Sequence, residues 1–154
     1  MNRRGFLLSS FSTVGLGAAG FAALFSRSAH SGTLLGAFED ERGTQYVGGL
    51  HLESREVFGA RVPMRAHGCT IDPRDPMRVV YFARRPGTQA FEFDRTTNRV
   101  RLACETTSER HFAGHGLFSP DGVWLLTPEH DFERARGVVA VRDARTFAIS
   151  HEID

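Results

Sequence analysis

From residue 33 onward, apolar residues are grouped in short runs that are separated by clusters of glycine, proline, aspartate and asparagine. Such runs, bounded by turn-forming residues, predict β-strands. No window shows the i, i+3, i+4, i+7 apolar spacing of an amphipathic helix, so helix is predicted to be a minor component. The sequence therefore predicts an all-β protein with its clearest strands in residues 46–52, 79–82, 90–94, 123–127 and 138–143.

Part of this pattern is repeated. The pair His67-Gly68, which leads into a turn and then an apolar run, recurs as His115-Gly116 at an offset of 115 − 67 = 48 residues. A later strand in each copy ends at an aspartate, and these residues, Asp94 and Asp143, are 143 − 94 = 49 positions apart. Residues 46–52 are a weaker copy of that strand. A repeat of this length is typical of a β-propeller built from four-stranded antiparallel blades.

The segment from Phe118 to Gly122, Phe-Ser-Pro-Asp-Gly, supports the prediction of blades. Proline presets φ, aspartate bonds to its own backbone and glycine accepts positive φ, so residues 120–122 predict a tight turn. Phe118 is expected to pack between blades. Residues 72–76, Asp-Pro-Arg-Asp-Pro, are interpreted as the degenerate copy in the preceding blade.

The start of the chain has the charge order of an export signal. Two adjacent arginines, a spacer and an apolar pair match the pattern of twin-arginine translocase substrates: Arg3, Arg4, Phe6 and Leu7. An uncharged stretch follows, which predicts a signal helix within a cleaved signal over residues 1–31. The alternative is a membrane anchor, since about 20 apolar residues can span a bilayer. Glycines and serines favour the removable signal, which predicts a periplasmic protein that touches the membrane only where the signal stays uncleaved.

The remaining residues, 32–154, are predicted to be a partial propeller domain. They would hold only two to three blades, whereas closed propellers use about four to eight. The chain stops at Asp154 within a strand-like run, so we expect the N-terminal piece of a longer protein whose last blade exposes an unpaired edge. The formal net charge of +1 gives no indication of a nucleic-acid partner.

Two cysteines, Cys69 and Cys104, would enter an oxidising compartment after export. They could form one disulfide bond. Two buried free thiols are the alternative, because the sequence does not show whether their Cβ atoms meet.

Several segments resemble a family of exported proteobacterial proteins labelled domain of unknown function 1513. The resemblance lies in the arginine-pair start, in His67-Gly68, and in residues 82–87, 112–122 and 127–131. It implies a β-propeller but no established activity or cofactor. It also implies iron-linked exported partners, such as imelysin-like peptidases and haem-type oxidoreductases, besides the twin-arginine translocase that would carry the chain.

Three histidines are the strongest candidates for chemistry: His67, His115 and His130. Blade-equivalent positions would place His67 and His115 near the propeller axis, where they could be metal ligands or an acid and a base. The glycine after each would let the backbone approach a ligand. The alternative is a structural histidine that hydrogen-bonds within its own blade. A metal would also need further ligands from elsewhere.

Arg84 and Arg85 follow a strand and precede a Pro-Gly turn, so they could clamp a carboxylate or phosphate. Glu129, His130 and Asp131 are expected in the corresponding loop one blade later, on the same face. Solvated or inter-blade ion pairs are the alternative for both groups. No Gly-x-Ser-x-Gly, Cys-x-x-Cys or His-Glu-x-x-His motif is present.

Three functions are compatible with this sequence. The first is a periplasmic propeller that acts as a binding or accessory module, linked to iron handling. The second is an enzyme, either a metal-assisted hydrolase of the lactonase type or an oxidoreductase, with His67 and His115 near the axis. The third is a remnant without function.

Overall fold

The computed structural model describes residues 32–154. The predicted export signal over residues 1–31, with its arginine pair, lies outside the described residues. Within residues 32–154 the chain forms twelve β-strands and no helix, which confirms the all-β prediction. No helix in this range is long and apolar enough to cross a membrane.

The strands form three antiparallel sheets. The first has the order β1-β2-β3, with β1 at Thr33–Glu39, β2 at Gln45–His51 and β3 at Val57–Val62. The second has the order β4-β5-β6-β7, with β4 at Ala66–Asp72, β5 at Asp75–Ala83, β6 at Gln89–Asp94 and β7 at Arg99–Glu105. The third comprises β8 (Arg110–Phe112), β9 (Leu117–Phe118), β10 (Trp124–Asp131), β11 (Arg136–Asp143) and β12 (Ile149–Ile153). Its first strand is interrupted, since β8 and β9 both pair with β10.

A loop that recurs in all three sheets shows which strands are equivalent. Four residues after a strand ends, each loop has a residue with positive φ: Arg55, Asn98 and Phe147. The first loop residue in each case donates its N–H to a carbonyl at the start of the neighbouring strand, one strand earlier in the chain. These pairs are Leu52 to Gly32 at β1, Arg95 to Met77 at β5 and Ala144 to Val123 at β10. Strands β1, β5 and β10 are therefore equivalent, and so are β2, β6 and β11, and β3, β7 and β12.

This equivalence makes the three sheets three propeller blades. It confirms that residues 46–52 copy the strands that end at Asp94 and Asp143. The second blade begins with β4 and the third with β8 and β9, whereas the first blade has no such strand within residues 32–154. The open strand position is thus in the first blade. The third blade has all four strand positions, and its unpaired edge on β12 is the outer edge that every blade has.

Two apolar layers hold the blades together. Residues alternate along β5, so that Val79 and Tyr81 face the first blade and Val80 and Phe82 face the third. All four are fully buried. Phe118 packs with Val80 and Phe82, which confirms that it lies between blades. Period-two alternation of large apolar side chains on both faces is what a strand sandwiched between two sheets requires.

The predicted tight turn is also present. The Gly122 N–H donates to the Ser119 carbonyl over 2.8 Å, and Gly122 has φ = 66°, which favours glycine. The Asp121 carboxylate accepts hydrogen bonds from the Ser119 hydroxyl and the Val123 N–H. These bonds, the first above all, lower the pKa of Asp121 below its usual value.

The two cysteines are free thiols. Cys69 lies on β4 and Cys104 on β7, at opposite edges of one four-stranded sheet. Cys69 packs against the layer shared with the first blade, and Cys104 against the layer shared with the third. Burial raises the pKa of both thiols, that of Cys104 to about 11. Their positions on opposite faces exclude the disulfide that the sequence left open.

Candidate functional site

His67 and His115 meet across the junction between the second and third blades. Their rings are in edge-to-face contact, with centroids 4.9 Å apart. His67 lies near the start of β4, and His115 lies just before β9. Both side chains are exposed, and neither has a hydrogen bond to any residue between 32 and 154. Hydrogen bonding within one blade, the structural alternative, is therefore not what positions them.

The two histidines are not at equivalent blade positions, contrary to the sequence analysis. Thr70 pairs with Val80 on β5, and Leu117 pairs with Leu126 on β10. Val80 and Leu126 each lie three residues after the equivalent residues Met77 and Val123, so Thr70 and Leu117 are equivalent. His67 lies three residues before Thr70, but His115 lies two residues before Leu117. The structural offset here is 117 − 70 = 47 rather than 48. The two rings face each other because the inner strands adjoin, not because the repeat is exact in register.

The glycine after each histidine accommodates protein atoms. A Cβ on Gly68 would lie 2.7 Å from Nδ1 of His115 and 2.8 Å from the Gly114 carbonyl oxygen. The Gly68 N–H donates to that carbonyl over 2.8 Å, which joins the two inner strands. A Cβ on Gly116 would lie 2.3 Å from the Phe82 ring. Both glycines serve close packing between blades, instead of the approach to a ligand that we expected.

The donor set around the histidines is incomplete for a metal. A zinc site takes three or four protein ligands. Within residues 32–154 no group of three or more histidine, cysteine, aspartate or glutamate side chains converges. The His67–His115 pair supplies two imidazoles, so a bound metal would require ligands from outside this part of the chain.

An arginine-lined hollow lies at the same end of the second blade. The Arg84 N–H donates to the Arg65 carbonyl over 2.9 Å, and Ala66 pairs with Ala83, so the β3–β4 and β5–β6 loops adjoin. The hollow has a volume of about 510 Å³, and it is lined by Met64, Arg65, Arg84, Arg85, Pro86 and Gly87. None of its three guanidinium groups is paired with a residue in the described range. With no acidic side chain in the lining, the hollow has a formal charge of +3.

Glu129 lies at the end of β10 that corresponds to the end of β5 at Ala83, one blade later, but its side chain is buried, so its predicted binding role is not supported. Its side chain is fully buried in the third blade. One carboxylate oxygen accepts from Nη2 of Arg142 over 2.8 Å and from the Thr127 hydroxyl over 2.6 Å. The other accepts from Nε of Arg110 over 2.5 Å. Both oxygens are therefore used by groups of the blade itself.

His130 and Asp131 also differ from the prediction, because they end strand β10 instead of lying in a loop. His130 is the cross-strand partner of His111, and its ring lies 6.1 Å from that of Phe132. Asp131 is buried, and its carboxylate accepts the N–H of Arg134 over 3.0 Å. The structure therefore brings His67 and His115 together, and separately Arg84 and Arg85, but it leaves the Glu129–Asp131 stretch within a blade.

Arg65 is the member of the arginine-lined hollow that the sequence analysis missed. It lies on a different loop from Arg84 and Arg85, and only the pairing of β4 with β5 brings the three together. The one signal in the sequence is its position two residues before His67.

A second hollow, of about 500 Å³, lies at the opposite end of the blades, and charges of both signs line it. Arg78 dominates it, donating to Asp72 over 2.8 Å and to Glu92 over 2.7 Å. Its third bond, 2.7 Å long, goes to the Ala144 carbonyl in the next blade. The two ion pairs lie within the second blade and the bond to Ala144 links it to the third, so each nitrogen of the Arg78 guanidinium has an internal acceptor.

Residues 60–154, more than half of the chain, match the sequence model of one family. The chain belongs to that family, protein of unknown function (DUF1513). The family part of the resemblance seen in the sequence is thereby confirmed. No curated protein matches the chain.

Solved structures of similar fold include a β-propeller domain and two enzymes. Dihydro-heme d1 dehydrogenase NirN, in complex with DHE, matches with a TM-score of 0.54 and 21% identity over 77% of this chain and 24% of that one. The Swd1 β-propeller domain of Myceliophteria thermophila matches with a TM-score of 0.55 and 13% identity over 76% and 40%. Oligogalacturonate lyase from Vibrio parahaemolyticus matches with a TM-score of 0.54 and 15% identity over 81% and 38%. The chain spans less than half the length of each, and these likenesses show the fold alone.

Proposed function

We propose that this chain is part of an exported periplasmic binding module that holds an anionic ligand on the arginine-lined face. The observation that carries the proposal is the cluster of three unpaired guanidinium groups, of Arg65, Arg84 and Arg85, around one hollow. Planar guanidinium groups bind carboxylates and phosphates through paired N–H donors. Propeller loops present such groups on a rigid scaffold.

The charge balance around the hollow supports this assignment. Elsewhere in the described range, arginines such as Arg78, Arg110 and Arg142 are paired with carboxylates of neighbouring strands. Arginines that stabilise the blades are thus neutralised locally. The three around the hollow have no such carboxylate in the described range, so an incoming anion would find donors that no internal acceptor occupies.

Calorimetric titration of the chain with citrate and with pyrophosphate tests this proposal. We expect saturable binding of at least one anion, weakened at least about tenfold by Arg84→Gln with Arg85→Gln, since a hydrogen bond to a charged group contributes about 1.5–3 kcal/mol. Arg99→Gln, which changes an exposed arginine on β7, is the matched control. Equal affinity in the double variant and the control, or no binding of either anion, would contradict the proposal.

The proposed link to iron handling rests on the family resemblance, which implies export by the twin-arginine translocase and an iron-linked periplasmic partner. Growth of a strain carrying Arg84→Gln with Arg85→Gln under iron limitation addresses it. Slower growth than with Arg99→Gln is expected, and equal growth would remove the iron link while leaving the anion site to its own test.

A second candidate is metal-assisted hydrolysis or redox chemistry at the His67–His115 pair. The observation in its favour is that two exposed imidazoles without hydrogen-bond partners in the described range lie 4.9 Å apart. Elemental analysis of protein purified from the periplasm tests it. A stoichiometric transition metal that is lost in His67→Ala supports this candidate, and metal-free protein eliminates it.

A further inference from the structure

The arginine-lined hollow is larger than a small inorganic anion requires. Its volume is about 510 Å³, whereas a water molecule occupies about 30 Å³ in the liquid. A phosphate ion, only a few times larger than water, would leave most of the hollow to solvent. Pockets of about 300–1,000 Å³ are of the size that holds organic ligands. The hollow therefore has room for an organic molecule that carries the anionic groups.

The lining residues that are not arginine present apolar surface. They are Met64, Pro86 and Gly87. A Cβ on Gly87 would lie 3.3 Å from Sδ of Met64, so the thioether packs directly against the backbone of this glycine. The Gly87 N–H is already used, since it donates to the Arg84 carbonyl over 2.8 Å. A ligand thus meets charge at the guanidinium groups and apolar surface at Met64 and Pro86.

Arg78 shows how a guanidinium group in this fold holds carboxylates and an aromatic ring at the same time. Its N–H groups donate to the carboxylates of Asp72 and Glu92. Its central carbon lies 5.1 Å from the centroid of the Phe147 ring. Arg142, which pairs with a glutamate, lies over a phenylalanine ring in the same way at 5.7 Å. Edge and face of both guanidinium groups are therefore occupied, by a carboxylate and by a ring.

The guanidinium groups of the hollow have neither kind of partner. Within residues 32–154 no carboxylate pairs with Arg65, Arg84 or Arg85, and no aromatic ring lies against them. Three guanidinium groups around one hollow consequently have open edges and open faces. A bare anion would use the edges alone, and it would leave the faces and the Met64 thioether to water.

We infer that the hollow takes an aromatic polycarboxylate, a planar ring that carries two or more carboxylates. The inference rests on the proposed function, because it names the class of anion that the arginine-lined face would hold. The carboxylates would accept in-plane N–H bonds from the guanidinium groups. The ring would cover a guanidinium face and the Met64 thioether, both of which attract aromatic rings. With a formal charge of +3 in the lining, a single carboxylate would leave two guanidinium groups unpaired.

Calorimetric titration of the chain with two matched tricarboxylates tests the inference. Trimesate is a benzene ring with three carboxylates, and its saturated cyclohexane analogue carries the same three groups; mildly alkaline buffer keeps all of them ionised. We expect trimesate to bind at least about fivefold more tightly, because only the aromatic ring attracts the thioether and the guanidinium face. Equal affinities, or tighter binding of the saturated compound, would overturn the inference.

Two methionine variants locate the bound ring. Met64→Gln replaces the thioether by a polar side chain of similar length, and Met77→Gln makes the same change at an exposed methionine on β5. We expect Met64→Gln to weaken trimesate binding at least about threefold. Its affinity for citrate or pyrophosphate should be unchanged, which also shows that the variant is folded. Met77→Gln should change neither affinity, and an unchanged trimesate affinity in Met64→Gln would contradict the inference.

The same titrations separate this inference from the proposed function on which it rests. A chain that binds citrate or pyrophosphate but not trimesate would overturn the inference and leave the anion site standing. A chain that binds none of these anions would overturn both. The comparison of trimesate with its saturated analogue uses the unsubstituted chain, so it does not depend on the folding of any variant.

Discussion

The hydroxyl of Tyr81 donates a 2.6 Å hydrogen bond to the carbonyl of Gly48, which ties the second blade to the first. The side chain is fully buried beside Phe93, in the layer that includes Val47 and Val79. Burial raises the pKa of the Tyr81 phenol well above its usual value, so the group remains a neutral donor. A polar anchor inside an apolar layer fixes how the two sheets face each other.

Removal of this hydroxyl is expected to weaken the contact between blades. Tyr81→Phe should lower the free energy of unfolding by about 1–2 kcal/mol, because the buried Gly48 carbonyl loses the hydrogen bond from the hydroxyl. Tyr46→Phe is the control, since its hydroxyl makes only a partly buried 3.4 Å bond to Asp40. Urea denaturation of both variants measures the difference. Equal stabilities would mean that water replaces the hydroxyl at Gly48.

Glu129 should be far more important for stability than for binding. Glu129→Gln leaves Arg142 buried without its ion pair, and breaking such a pair usually lowers stability by about 3–5 kcal/mol. Glu152→Gln removes a more exposed partner of Arg110, and we expect a loss below about 1 kcal/mol. Denaturant midpoints of the two variants test this contrast. A Glu129→Gln protein as stable as Glu152→Gln would contradict the structural assignment.

The blade architecture was predictable because it depends on local patterns. Apolar residues of β5 alternate between two buried faces, and the turn at residues 119–122 has residues suited to its dihedral angles. The role of Glu129 was not predictable. Its partners Arg110 and Arg142 lie on other strands, and nothing in the sequence around Glu129 indicates that they converge on it.

The candidate site was predictable only where neighbours in sequence act together. Arg84 and Arg85 were identified from one loop, whereas Arg65 joins them through strand pairing. For His67 and His115 the sequence indicated proximity, but the register was wrong by one residue. A single extra residue between β8 and β9 shifts the repeat, and motif matching alone does not locate such an insertion.

We expect Cys69 and Cys104 to remain reduced after export into an oxidising compartment. They lie three strand spacings apart, or about 14 Å, and disulfides need Cα atoms within about 7 Å. Titration of unfolded, periplasmically purified protein with a thiol reagent should give two thiols per chain. A yield of no thiols, with a mass two hydrogens lower, would show a bond and require a different strand arrangement.

Stability is expected to decrease at alkaline pH because of Cys104. Burial raises the pKa of this thiol from 9.0 to about 11. The unfolded chain thus loses the thiol proton at lower pH than the folded one. The stability that the protonated Cys104 thiol contributes is therefore complete below pH 9 and is lost as the pH rises towards 11.

Urea midpoints of the unsubstituted chain should fall across this range, and Cys104→Ala should show a shallower fall. Cys69→Ala, which removes the other thiol with a raised pKa, separates the two contributions. Identical pH profiles for the Cys104→Ala and unsubstituted chains would show that Cys104 is hydrated in the folded protein.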